Sequence, residues 1–190
     1  MTLSPTDVAT AFRSCFGRAK CVYMATPVTS GKRLWDLARA LKCRDITMVK
    51  SLAPHDFERD VLTAYMLAAD ALADQLRKIH PFVINPAATL IRGWRQEHYM
   101  QLWTRVVSEF ADEMYLADGW EYSSGCLQEA RLAFINCLPV CNSQGSALDA
   151  YECAGTVRRA RLSASDLDVS CLADAYAEWD NLCHEQLAVH

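Results

Sequence analysis

The chain has 190 residues, 52% of them hydrophobic and 22% charged, enough for one sizeable core and no disordered majority. A net charge of −4 argues against nucleic-acid polymers or anionic membrane surfaces as main partners, and no run reaches the roughly 18 apolar residues of a membrane span. The opening MTLSPTDVATAFRSC lacks the apolar centre of a signal peptide, and the nine cysteines show no CxxC and no metal-ligand spacing, so a cytoplasmic protein with reduced, mostly buried thiols is expected.

In chain order, Ser4-Pro5-Thr6-Asp7 reads as a helix start, with Val8, Ala11, Phe12 and Cys15 on one side and an end near Gly17. KCVYMATP (20–27) is a short apolar run closed by proline, the pattern of a buried strand. The Thr29-Ser30-Gly31 loop follows, and Leu34, Leu37, Ala38 and Leu41 then recur at helical spacing. ITMVK (46–50) reads equally as a short strand or as loop. The longest helical signal spans 54–79, opened by Pro54, with Phe57, Val61, Leu62, Tyr65, Leu72, Leu76 and Ile79 mostly along one stripe.

PFVINP (81–86) predicts a second strand, 95–110 a helix with Tyr99, Leu102, Val106 and Phe110 on its apolar face, and DEMYLA (112–117) a third strand. A helix over 124–136 and a strand at LPVCN (138–142) follow, and the tail from about 146 reads as two helices, the second capped near Ser165. Short apolar strands alternating with helices imply an α/β fold: a mostly parallel sheet with helices on both faces, over 1–145, and a helical C-terminal extension of the same unit over 146–190. Ligands in such sheets bind beyond the C-terminal strand ends, where strand order switches. The loops there are Thr26 to Gly31, Asn85 to Leu90 and Asp118 to Gly125, the richest in small and polar residues.

Taken together, VYMATPVTSGKRL, VINPA, EHYM and ADEMYLADGWEYSSGCLQEARLA resemble the nucleoside 2-deoxyribosyltransferase-like superfamily, above all its small bacterial and phage members. Those carry Y-[LM]-A-G-P near the start, N-P-A in the middle and G-W-x-x-S-x-G-x-x-x-E later. The likeness covers roughly 20–30 and 80–142; the arm of 31–80 is longer and the tail after 145 is unmatched. It implies a flavodoxin-like, Rossmann-like sheet and cleavage or transfer at the N-glycosidic bond of a nucleoside or nucleotide. No metal and no organic cofactor is implied, and a homo-oligomer with pockets at the subunit interface is.

The resemblance makes Glu129 the nucleophile that attacks C1′ and forms a glycosyl-enzyme, the logic of a retaining glycosidase. Two readings of that residue stand side by side. An acid in a helix's first turn behind Ser123-Ser124-Gly125 is also ordinary capping chemistry, and the helix dipole there predicts a low pKa. Ser123 is implied as a sugar or phosphate contact and Gly125 as the position of close backbone approach; both are turn and cap residues otherwise. Tyr23 is implied to face the pocket beside Glu129, or else is a strand aromatic. Thr29 offers a donor, Asn85 either contacts a ligand or starts a turn, Asp118 is a loop carboxylate, and Trp120 either stacks on a base or closes the loop as a hydrophobe.

Two positions depart from the pattern: Thr26 stands where glycine is commoner. Thr104 stands where many members carry an aspartate eight residues before the third strand's Asp112, and a threonine is no acid at neutral pH. That departure keeps two alternatives in view, a non-catalytic nucleotide-sensing protein and an enzyme resembling NAD glycohydrolases. His98 reads as a satisfied surface or core histidine, and the Arg158, Arg159, Arg161 cluster as a solvated face.

Overall fold

The computed structural model describes residues 3–17, 19 and 21–187, with side chains to residue 182. Lys20, which opens the expected first strand, lies outside the described residues.

Strands β1 (Cys21–Ala25), β2 (Val83–Ile84), β3 (Ala111–Leu116) and β4 (Val140–Asn142) form one sheet in the order β2-β1-β3-β4. All pairings are parallel, with Val22 opposite Val83, Ala25 opposite Leu116 and Met114 opposite Val140. Every residue of β1 is buried, as expected for a central parallel strand covered on both faces. The period-2 alternation then divides the core. Cys21, Tyr23, Ala25, Met114 and Leu116 belong to the large cluster on one face, while Val22, Met24, Tyr115 and Cys141 meet Leu72, Ala73 and Leu76 on the other.

The helices are α1 (Pro5–Phe16), α2 (Lys32–Ala40), α3 (Val49–Leu52), α4 (Pro54–Asp56), α5 (Ala64–Leu76), α6 (Gln96–Glu109), α7 (Ser124–Ile135), α8 (Ala150–Ser163) and α9 (Ala173–Leu187). Helix α1 starts at Ser4, whose hydroxyl accepts from the Asp7 amide while the Asp7 carboxylate accepts from the Ser4 amide. α1 packs on α6, α6 on α7, and both α6 and α7 on the sheet; α5 covers the opposite face.

The long signal over 54–79 is not one regular helix. A π-helical segment, Phe57–Thr63, joins α4 to α5, and Ile79 falls beyond α5, 71% exposed. ITMVK is neither strand nor plain loop: a 3-10 turn, Ile46–Met48, runs into α3 and buries Ile46 and Val49. α9 starts eight residues past Ser165, behind a 3-10 turn at Ser170–Leu172.

The tail packs on the rest of the chain. Trp179 is buried against Trp120 and Phe134 and donates its indole N–H to the Leu127 carbonyl, 2.9 Å away, which ties α9 to α7. Arg39 of α2 grips Asp166 with two nitrogens, at 2.9 and 3.0 Å, and the Asp168 amide donates to the Arg44 carbonyl. Among the described residues no cysteine is bridged. Cys21, Cys126, Cys141 and Cys153 are buried, but Cys15, Cys137 and Cys171 are exposed, so burial is less general than the apolar faces suggested. No helix among the described residues is long and apolar enough to cross a membrane.

Candidate active site

Strand order switches between β1 and β3, since the chain leaves β1 toward β2 on one side and returns to β3 on the other. A crevice is expected beyond the C-terminal ends of those strands, and a cavity of about 370 Å³ opens there. Its volume falls in the range of small-molecule pockets, about 300–1,000 Å³.

One wall comes from the loop after β1, with Thr26, Val28, Thr29 and Ser30. Another is the start of α7, with Ser123, Gly125, Cys126 and Glu129. The rest is largely apolar: Leu62 of the π-helical segment, Met66, Tyr99, Met100 and Trp103. Lys50 of α3 stands exposed at the rim, its ammonium 5.7 Å from the centre of the Phe57 ring.

The two polar loops are clasped together. The Ser30 hydroxyl donates to the Ser123 hydroxyl at 2.8 Å, and the Gly31 amide donates to the Tyr122 carbonyl at 3.2 Å. Tyr65 of α5 accepts from the Arg33 amide at 3.0 Å. Gly31 has φ +92°, and a Cβ there would sit 2.5 Å from the Tyr65 hydroxyl and 2.7 Å from Pro27 Cβ, so no side chain fits where the loop turns into α2.

Glu129 is 5% exposed and lines the cavity. It lies in the second turn of α7, which begins at Ser124 and has no acid in its first turn, so the capping arrangement is not formed. The expectation of a low pKa is also overturned. Burial pushes the carboxyl up to about 8, opposed only by the nearby Tyr23 phenol. The helix dipole acts mainly within the first turn, and Glu129 sits past it in a desolvated wall. Tyr23 is wholly buried behind that wall, tilted against Trp103 with ring centroids 6.2 Å apart. Its hydroxyl leans on Glu129 without making a hydrogen bond of standard geometry. The Thr26 hydroxyl is buried too, and likewise has no hydrogen-bond partner among the described residues.

Thr29, Ser123, Gly125 and Glu129 thus share one cavity, with Tyr23 directly behind. Asn85, Asp118 and Trp120 are committed elsewhere. The Asn85 amide donates to Asp70 and its oxygen accepts from the Ala87 amide, which makes it a turn residue. Asp118 is exposed and accepts from the Ser143 hydroxyl at 2.7 Å. Trp120 is 6% exposed, its ring 5.6 Å from that of Trp179, so it fills the core rather than facing a base. Thr104 bonds back to the Met100 carbonyl in its own helix.

Sequence reasoning passed over Thr26 as a cavity group, and Lys50, Leu62 and Met66 because they lie in the unmatched arm. Tyr99 was legible only as a core residue. Its hydroxyl accepts from the Ile91 amide and donates to the Ile91 carbonyl, pinning the loop after β2. Among the described residues no group of three His, Cys, Asp or Glu side chains is placed to hold a metal ion.

Gly125 offers a test of the wall. A Cβ there meets Met100 Sδ at 3.5 Å, ordinary contact, and replaces a helical glycine. Gly125→Ala is therefore expected to hold or raise stability, by up to about 1 kcal/mol, while weakening any ligand seated at the start of α7. Urea unfolding beside calorimetric titration checks both halves.

A family described as a domain of unknown function (DUF4406) matches residues 63–142. That segment runs from the end of the π-helical stretch through β4 and includes Ser123 and Glu129, but not β1 with Tyr23, nor the tail. No curated protein and no solved structure matches the chain.

Proposed function

We propose that the cavity binds a nucleoside or nucleotide and that Glu129 attacks C1′ of its sugar, cleaving the N-glycosidic bond through a glycosyl-enzyme intermediate. The observation that carries this reading is a single buried carboxyl, outside any capping role, on the wall of a ligand-sized cavity. Its support is threefold. A carboxylate held against an apolar wall is poorly solvated and reactive toward an oxocarbenium-like centre. Tyr23, with no other hydrogen-bond partner among the described residues, is free to orient it. Ser30, Ser123 and Thr26 supply hydroxyls for a sugar.

The test is release of free base from a panel of nucleosides, 2-deoxynucleosides and their 5′-phosphates, followed across pH. The attacking form is the ionised one. With Glu129 near 8 in the free protein, kcat/KM is expected to rise about tenfold per pH unit below that value and to level off above it. A profile flat from pH 5 to 9 with active protein removes Glu129 from the nucleophile's role. Thr104, turned onto its own helix, favours one rival, a protein that binds the same ligands without cleaving them. Saturable binding with no base release at any pH establishes that rival instead.

A further inference from the structure

Departure of a neutral base from a sugar normally needs a proton, because the base otherwise leaves as an anion. The cavity is poorly equipped to give one. Among the described residues Glu129 is the only carboxyl that lines it, and as nucleophile it is spoken for. Tyr99 is engaged through its hydroxyl in both directions with Ile91. Burial pushes the Cys126 thiol well above its ordinary value, so it holds its proton tightly. Thr104 faces the Met100 carbonyl, Asp118 accepts from Ser143, and Asp70 accepts from Asn85. Lys50, the only lining cation among the described residues, stands out at the exposed rim beside Phe57. Met100, Trp103, Leu62 and Met66 form much of the apolar lining, which suits a flat ring and offers no group to solvate a charge.

We infer that the substrates of this site are N-glycosides whose leaving ring already carries a positive charge, such as a pyridinium or an N-alkylated purinium. The inference rests on the N-glycosidic reading above and narrows it. A Glu129 oxygen forms a bond to C1′ as the C1′–N bond breaks. The bonding pair returns to the ring and cancels its charge, so the base departs neutral without a proton donor. Water then attacks C1′, the bond to Glu129 breaks and restores the carboxylate, and the surplus proton of the water passes to solvent. One proton is released per turnover. The same charge explains how an ionised carboxylate is tolerated in an apolar wall: the ring's charge offsets it, and the pair together is neutral.

The experiment uses the full chain with nicotinamide riboside, its uncharged dihydro form, 7-methylguanosine and guanosine. Release is followed by chromatography, each rate divided by its uncatalysed rate, and binding is measured by calorimetry on wild type and Glu129→Gln. The enhancement for 7-methylguanosine is expected to exceed that for guanosine by about 10²-fold or more, the scale of a missing general acid. Wild type is expected to bind nicotinamide riboside about tenfold tighter than the dihydro form, a preference lost in Glu129→Gln. Equal enhancement of guanosine and 7-methylguanosine overturns the inference and leaves the N-glycosidic reading standing. Release from none of the four or of their 5′-phosphates, with no charge preference in binding, overturns both.

Discussion

Glu129→Gln is expected to abolish base release, by roughly 10³-fold or more, and at the same time to stabilise the protein at alkaline pH. Loss of an acting nucleophile has effects of at least that size. The stability change follows from linkage. The folded carboxyl titrates near 8 instead of its ordinary 4.5 because burial disfavours the charged form. The folded chain therefore holds the proton more tightly than the unfolded chain does. Its contribution to stability is fully present below about pH 4.5 and is lost as pH rises through about 8. At 1.4 kcal/mol per pH unit the loss is on the order of 3–5 kcal/mol. The glutamine amide has nearly the same shape and cannot ionise, so the variant escapes that loss. At pH 9 its melting temperature is expected to exceed that of wild type by about 6–20 °C, and at pH 5 the two are expected to agree within a few degrees. Scanning calorimetry at both values checks this. A variant less stable than wild type at pH 9 means that the carboxylate is compensated by contacts the cavity does not show.

Trp179→Ala is expected to cost about 3–5 kcal/mol, the usual range for deleting a large buried aromatic. Trp179 is 1% exposed, packs on Trp120 and Phe134, and its indole N–H satisfies the Leu127 carbonyl inside α7. Its removal opens a cavity beneath the helix that carries Glu129 and leaves α9 poorly held. Trp179→Phe keeps much of the packing and loses the hydrogen bond, for a cost nearer 1–2 kcal/mol. Urea unfolding measures both, and proteolysis within α9 is expected to quicken in the alanine variant. A cost below about 1 kcal/mol for the alanine change means that the tail folds apart from α7.

How far residues alone predict this molecule depends on whether a feature is local. Strands β1 to β4 were legible because each is a short apolar run ended by proline, a polar loop or a helix start, and burial on both faces demands such runs. The start of α1 was legible because Ser4 and Asp7 satisfy each other's amides within one turn and Pro5 has no amide to satisfy. ITMVK was not, since its 3-10 turn and short helix are held by burial of Ile46 and Val49 among distant neighbours. The π-helical segment was hidden as well, because an extra residue per turn leaves no mark in a stripe of apolar residues.

The site divides the same way. The sequence by itself determined that Ser123, Gly125 and Glu129 stand near one another, since they lie within two turns of one helix. It also determined that Thr29 and Ser30 leave the end of a buried strand. Only the tertiary structure decided that Ser30 meets Ser123, that Tyr23 stands behind Glu129, and that Trp120 turns away into the core against a tail residue. Those contacts join positions tens of residues apart, and no periodicity records them. The raised titration of Glu129 belongs with them. Proximity to a helix start argues for a stabilised anion, whereas desolvation is the sum of every neighbour that folding brings up, and here desolvation prevails.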